Sequence, residues 1–111
     1  MYNSKELSKD EVPKDWDELL DPKWKDEIII RYPLASGTMR TIFSAMIYRT
    51  YKDTNDPKEG YDWLKKLDQN TKEYSANPEM MYNKVAKGEG SLSVWAMPDV
   101  VMLKENKKLS I

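Results

Sequence analysis

The sequence contains no histidine, no cysteine and only 4 glycines among its 111 residues. Without imidazole or thiol it cannot assemble a Ser-His-Asp or Cys-His nucleophile, an imidazole general base, or a zinc centre of the usual nitrogen and sulfur ligands. The missing cysteine leaves the redox compartment open. Long apolar runs are absent too. The longest, Ile28-Ile29-Ile30, falls far short of the ~20 residues that span a bilayer, so no membrane-spanning segment is expected. Charge of one sign is not in surplus either: 18 Lys and Arg face 19 Asp and Glu, for a net charge of −1. Nucleic acid and anionic membranes, which select a concentrated basic surplus, are not expected partners. Met1-Tyr2-Asn3-Ser4-Lys5 has no apolar signal core. By its residues alone the chain is therefore cytosolic or has its targeting segment elsewhere.

What is present suits one folded domain over residues 1–111. Apolar residues make up 40% of the chain, with 4 Trp, 7 Tyr and 7 Met to build a core. Trp16, Leu19 and Leu20 fall at i, i+3, i+4 after Pro13, which predicts a short helix ended by Asp21-Pro22. Residues 27–32 are continuously apolar at their centre, the pattern of a strand covered on both faces. A largely buried helix is expected over 39–51. A capping box with its proline, Asp56-Pro57-Lys58-Glu59, opens the next helix, whose Gly60, Trp63, Leu64 and Leu67 share a face. Asn77-Pro78-Glu79 starts a third helix, and Gly88 provides a left-handed stop. Residues 92–96 read as a strand, Pro98-Asp99 as a helix start, and 109–111 as a last short strand. Alternating strands and helices predict an α/β three-layer sandwich with a mixed, mainly parallel sheet and helices on both faces.

In such sheets ligands gather at the carboxyl ends of strands, where loops feed helix N-termini. Two junctions of that kind are visible, at 32–40 and 95–100. In the first, Ser36 is a natural N-cap, Gly37 permits close approach to backbone N–H groups, and Thr38 adds a hydroxyl. The first helical turn carries Arg40 and no acid, against the preference of the helix dipole, and an anionic partner would resolve that conflict. The same residues also fit a plain N-cap beside a solvated arginine. Asn70 reads as a left-handed C-terminal cap. At the second junction Asp99 suits either the dipole of its helix or a ligand hydroxyl or amine. Of the aromatic residues, Trp95 and Tyr32 stand near strand ends where a ligand could touch them. The carboxylates Asp15, Asp17 and Glu18 lack calcium-loop spacing, and no metal site or cofactor is implied.

The order Pro13-x-x-Trp16-x-x-Leu19-Leu20-Asp21-Pro22-Lys23-Trp24-Lys25, a strand, Pro33-x-x-Ser36-Gly37-Thr38, a helix, Leu67-x-x-Asn70, then Val85-Ala86-x-Gly88-Glu89 before a strand resembles bacterial extracellular solute-binding proteins. More narrowly, it is similar to those serving ABC importers of ferric iron, sugar phosphates and aminoethylphosphonate. The resemblance implies one lobe of a two-lobed type 2 periplasmic-binding fold, the second lobe inserted into the first, with Tyr2 and Asn3 near the incoming hinge. It implies a missing first lobe and an ABC permease as partners, and an extracytoplasmic location, periplasmic or as a cell-surface lipoprotein. The family's anion loop carries over onto Ser36, Gly37 and Thr38, and its helix-ending asparagine onto Asn70. Its ferric members use two consecutive tyrosines where this chain has Trp95-Ala96-Met97-Pro98-Asp99, so a phosphate- or phosphonate-bearing solute is expected instead of iron.

The expected function is capture of a small anionic solute, without catalysis, by Ser36, Gly37, Thr38, Arg40, Asn70, Trp95 and Asp99. Two rival readings make different demands. A small α/β enzyme would need carboxylates such as Asp99 and Glu89 to converge in one pocket. An interaction module would need a large exposed apolar patch.

Overall fold

The computed structural model describes residues 1–111. Two strands, β1 (Ile28–Arg31) and β2 (Thr71–Ser75), pair in parallel, with Arg31 opposite Ser75 and a register shift between Ile28 and Ile29. Leu92 extends this sheet on the far side of β1. It bridges Ile28 in parallel and Tyr2 in antiparallel sense, so the sheet is mixed and mainly parallel. Residues 92–96 do not form the regular strand their composition predicts: Leu92 alone forms β-bridges, and main-chain pairing ends at Ser93, which exchanges hydrogen bonds with Met1, before the chain turns into a helix. The expected strand at 109–111 is also absent. There the Ser110 carbonyl accepts from the Ser4 N–H at 3.0 Å, and Ile111 is buried as a core residue.

Four helices cover the sheet: α1 (Gly37–Thr54), α2 (Lys58–Asn70), α3 (Pro78–Ala86) and α4 (Met97–Asn106). Short 3₁₀ turns occupy Trp16–Leu20, Pro22–Trp24 and Pro33–Ala35. Alternation along β1 assigns the two faces. Ile28 and Ile30 join Met39, Met46, Trp63 and Leu67 of α1 and α2 on one side. Ile29 joins Met81, Tyr82, Val85 and Leu103 of α3 and α4 on the other. All three isoleucines are fully buried, each worth about 1.5–3 kcal/mol relative to exposure. The three-layer α/β architecture follows, and no helix is long and apolar enough to cross a membrane.

Local chemistry explains the helix ends. Ser36 Oγ accepts from the Met39 N–H at 3.2 Å and Asn77 Oδ1 from the Met80 N–H at 2.9 Å, each an N-cap. Asn55, at φ 54°, closes α1 in the left-handed region, and Gly88, at φ 79°, lies just beyond α3. Asp56 Oδ1 accepts from the Lys58 N–H at 2.9 Å, although Glu59 makes no return bond and the full capping box is not formed. Asn70 is not the left-handed cap its position suggested: it is the last helical residue of α2, and Thr71 continues straight into β2 in extended conformation.

Candidate functional site

Parallel pairing sets the site. Because β1, β2 and the Leu92 segment run in one direction, α1, α3 and α4 all begin at the same, carboxyl end of the sheet. Two of these helices carry an acid in the first turn, Glu79 in α3 and Asp99 in α4, whereas α1 carries none. The start of α1 therefore keeps an uncompensated positive end.

At that start Ser36 is buried, and its hydroxyl is spent on the Met39 cap. Gly37 and Thr38 are exposed, their backbone N–H groups have no acceptor within the chain, and the Thr38 hydroxyl has no partner. Arg40 folds back over the preceding turn, donating from Nη1 to the carbonyls of Pro33 at 3.1 Å and Leu34 at 2.8 Å. Arg31, at the end of β1, donates from Nη2 to the next carbonyl, Ala35, at 3.2 Å. Two guanidinium groups thus hold three consecutive carbonyls, and neither forms an ion pair with a carboxylate. Arg31 was not among the residues singled out in the sequence. A charge closing an isoleucine run at a strand's carboxyl end was the available signal.

The second junction adjoins the first through Arg31, whose guanidinium lies 5.9 Å from the centre of the Trp95 ring. Trp95 Nε1 donates to Asp99 Oδ2 at 2.7 Å, and the Tyr82 hydroxyl donates to the same oxygen at 3.1 Å. Tyr82 and Trp95 meet edge to face, with centroids 6.5 Å apart. Burial, and then the adjacent Asp99 carboxylate, push the Tyr82 hydroxyl up to about 12, so it stays a proton donor to Asp99 at neutral pH. Tyr82, on the buried face of α3, is a further member of this group, and its place among Met81 and Val85 gives it no mark in the sequence that separates it from a core tyrosine. Tyr32, half exposed, packs edge to face on Tyr74 at 6.4 Å.

Asn70 stands apart from this group. It precedes β2, at the amino end of the sheet, and its buried Nδ2 donates to the carbonyls of Leu19 and Asp21, each at 2.9 Å. With both amide protons directed at the Trp16–Leu20 and Pro22–Trp24 turns, it braces them to α2 and does not join Ser36, Gly37 and Thr38. Glu89, named with Asp99 in the enzyme reading, is exposed beyond the far end of α3, so these two carboxylates do not converge. No group of three or more carboxylates is placed to hold a metal ion.

This mixed α/β arrangement is that of the type 2 periplasmic-binding fold. The family model for bacterial extracellular solute-binding proteins matches residues 1–111, and the chain belongs to that family. A Haemophilus influenzae protein described only as uncharacterised is 32% identical over 96 residues, covering 86% of this chain and 26% of that protein. Among solved structures, the periplasmic binding protein P5PA superposes with a TM-score of 0.68 at 32% identity, over 83% of this chain and 28% of that one. AfuA of Actinobacillus pleuropneumoniae, solved with exogenous fructose-6-phosphate bound, gives 0.70 at 28% identity, over 94% and 32%. The chain therefore spans about a third or less of the length of the proteins it matches.

Proposed function

We propose that this chain is the ligand-binding lobe of an ABC-importer solute-binding protein and captures a small anionic solute, bearing a phosphate or phosphonate, at the N-terminus of α1. One observation carries this reading: the exposed N–H groups of Gly37 and Thr38, with the Thr38 hydroxyl, have no acceptor or donor partner at the one sheet-end helix lacking an acid in its first turn. Arg40 and Arg31 add positive charge behind them. A phosphoryl oxygen would complete bonds the fold leaves open, and the sugar phosphate in AfuA is a solute of that chemistry on a related chain.

Trp95 and Asp99 form the second wall of the site, and binding involves no catalytic step. In the whole protein a first lobe would close over the solute by hinge motion, and the closed form would deliver it to an ABC permease outside the cytoplasm. A single lobe supplies half the contacts, so its affinity is expected to be weak. NMR titration of the chain with inorganic phosphate and with organic phosphates tests the reading. The Gly37 and Thr38 amides should shift on saturation, and the reading fails if those amides stay fixed while others move or none moves.

A further inference from the structure

A second concavity lies at the amino end of the sheet, away from Gly37 and Thr38. It measures about 580 Å³ and is lined by Leu20, Pro22 and Lys25 from the segment before β1 and by Lys66, Gln69 and Asn70 from the carboxyl-terminal part of α2. That volume suits a small organic molecule. Its charge is one-sided. Lys25 and Lys66 are exposed, neither joins an ion pair, and no acid lines the cavity. Of the flanking acids, Asp21 Oδ1 accepts from the Lys23 N–H at 2.9 Å, Asp68 accepts from the Tyr74 hydroxyl, and Asp26 forms no ion pair. Two cations sharing one concavity repel each other, and an anion between them removes that repulsion.

Asn70 supplies an independent feature. Only 4% of it is exposed, and its Nδ2 donates to the Leu19 and Asp21 carbonyls, each at 2.9 Å. Oδ1 is thereby turned the other way and accepts no hydrogen bond within the chain, from either lysine or from any other group. It is not sealed in, since the buried side-chain atoms without partners are Trp24 Nε1, Arg31 Nε and Ser93 Oγ. Oδ1 therefore opens onto the cavity that Asn70 lines. The amide cannot turn without breaking two hydrogen bonds, so this acceptor is fixed in place and calls for a donor.

We propose that this cavity is a second ligand site, for a small carboxylate that carries an O–H or N–H beside its charged group: a hydroxycarboxylate or an acylamino carboxylate. The carboxylate lies between Lys25 and Lys66, the adjacent donor meets Asn70 Oδ1, and the carbon skeleton rests on Leu20 and Pro22. A planar carboxylate brings two acceptor oxygens to two ammonium groups and leaves its α-substituent for Oδ1, whereas a phosphoryl group would turn a further oxygen toward that acceptor. A carboxylate without the donor leaves Asn70 unmet, and a neutral donor leaves the lysines unmet. The site does not depend on anion capture at α1, because the two lie at opposite ends of the strands and share no residue.

The test is an NMR titration of the chain with lactate, N-acetylalanine, propionate and lactamide. The signals to follow are the Asn70 side-chain amide and the Lys66 and Gln69 backbone amides, with Gly37 and Thr38 reporting on the first site. Lactate or N-acetylalanine should shift the Asn70 amide and bind about three- to tenfold tighter than propionate, the worth of one hydrogen bond. The tighter of the two identifies the donor as hydroxyl or amide, and lactamide should not bind. Lys25→Gln and Lys66→Gln, both at exposed positions, should each weaken lactate and N-acetylalanine several-fold without lowering the melting temperature. Equal affinity for propionate and for the two donor-bearing compounds overturns the inference, as does binding of lactamide or indifference to both lysine substitutions. Silence of the Asn70 amide toward every compound overturns it too, and shifts confined to Gly37 and Thr38 would do so while leaving the anion site standing.

Discussion

Trp63 Nε1 on α2 donates to Asp17 Oδ1 at 2.7 Å, and Arg49 on α1 reaches the same oxygen at 2.6 Å. One carboxylate in the Trp16–Leu20 turn thereby ties both helices of this layer to the segment that precedes β1. The hydrogen bond from Arg49, then that from Trp63, hold the Asp17 carboxyl below the usual carboxylate range. A depressed folded-state pKa stabilises the fold above the ordinary carboxylate value, and the contribution is lost as pH falls through the lowered one. Asp17→Asn should therefore lower the melting temperature at neutral pH, and the gap should close as the pH falls below the ordinary carboxylate range. Because Asp17 is exposed, the neutral-pH difference should stay below about 1 kcal/mol and shrink further in high salt. Melts of both proteins across pH would check this, and a gap that widens in acid would contradict it.

Asn70 supports a larger effect. Its amide satisfies two main-chain carbonyls, one of them through a buried bond, so Asn70→Ala should cost about 1–3 kcal/mol. Asn70→Asp should be worse, since a carboxylate would face two acceptors. Denaturant unfolding measures the loss. Phosphate binding at Gly37 and Thr38, at the opposite end of the strands, should survive in whatever fraction remains folded.

The same residue shows where sequence reasoning stops. An asparagine ending an amphipathic helix has the local chemistry of a left-handed cap, and only the tertiary position of the Leu19 and Asp21 carbonyls makes it a brace. β1 was legible because it is central, flanked by β2 and the Leu92 segment, and its isoleucines face helices on both sides. β2 was not. It is an edge strand, so Lys72 can stay exposed and Glu73 can pair with Lys84 without harm, which erases the apolar pattern. At the site, the Ser36 cap and the acid-free start of α1 were readable from residues 36–40. The role of Arg31 was not, because contact with Trp95 joins positions 64 residues apart in sequence, a closeness that exists only once β1 and the Leu92 segment pair.

Gly60 lets α2 pack directly on the backbone of α1. A Cβ there would lie 2.4 Å from the Ile47 Cα, a backbone atom that cannot rotate away. Gly60→Ala must push the helices apart and should cost about 1–3 kcal/mol despite alanine's better helix propensity. The denaturation midpoint should fall with the slope unchanged. A stabilised variant would show that the two helices separate freely.

Tyr82 and Tyr74 should be the last of the 7 tyrosines to ionise. Burial followed by the Asp68 carboxylate raises Tyr74, and burial followed by Asp99 raises Tyr82 to about 12. A raised folded-state pKa contributes stability that is complete below the ordinary phenol value and is lost as pH climbs through the raised one. Ultraviolet titration should therefore show a late phase that accompanies alkaline unfolding, and Tyr82→Phe should remove one tyrosine from it. If all tyrosines titrate together near 10 while the chain is folded, the bond to Asp99 is not held in solution.

Ser36 and Thr38 sit two residues apart yet should fail in different ways. The Ser36 hydroxyl is buried and committed to the Met39 N–H, so Ser36→Ala removes a cap and should destabilise the chain by about 1 kcal/mol. Its effect on anion binding would come only through fraying of the first turn. The Thr38 hydroxyl is exposed and has no partner, so Thr38→Val should leave the melting temperature nearly unchanged while lowering affinity for phosphate compounds several-fold. Thermal melts and phosphate titrations on both variants form a crossed pair: stability should respond mainly to position 36, and binding mainly to position 38. Should Thr38→Val bind phosphate like the unsubstituted chain, the anion contact would be confined to the backbone N–H groups, which a helix start offers whatever side chains surround it.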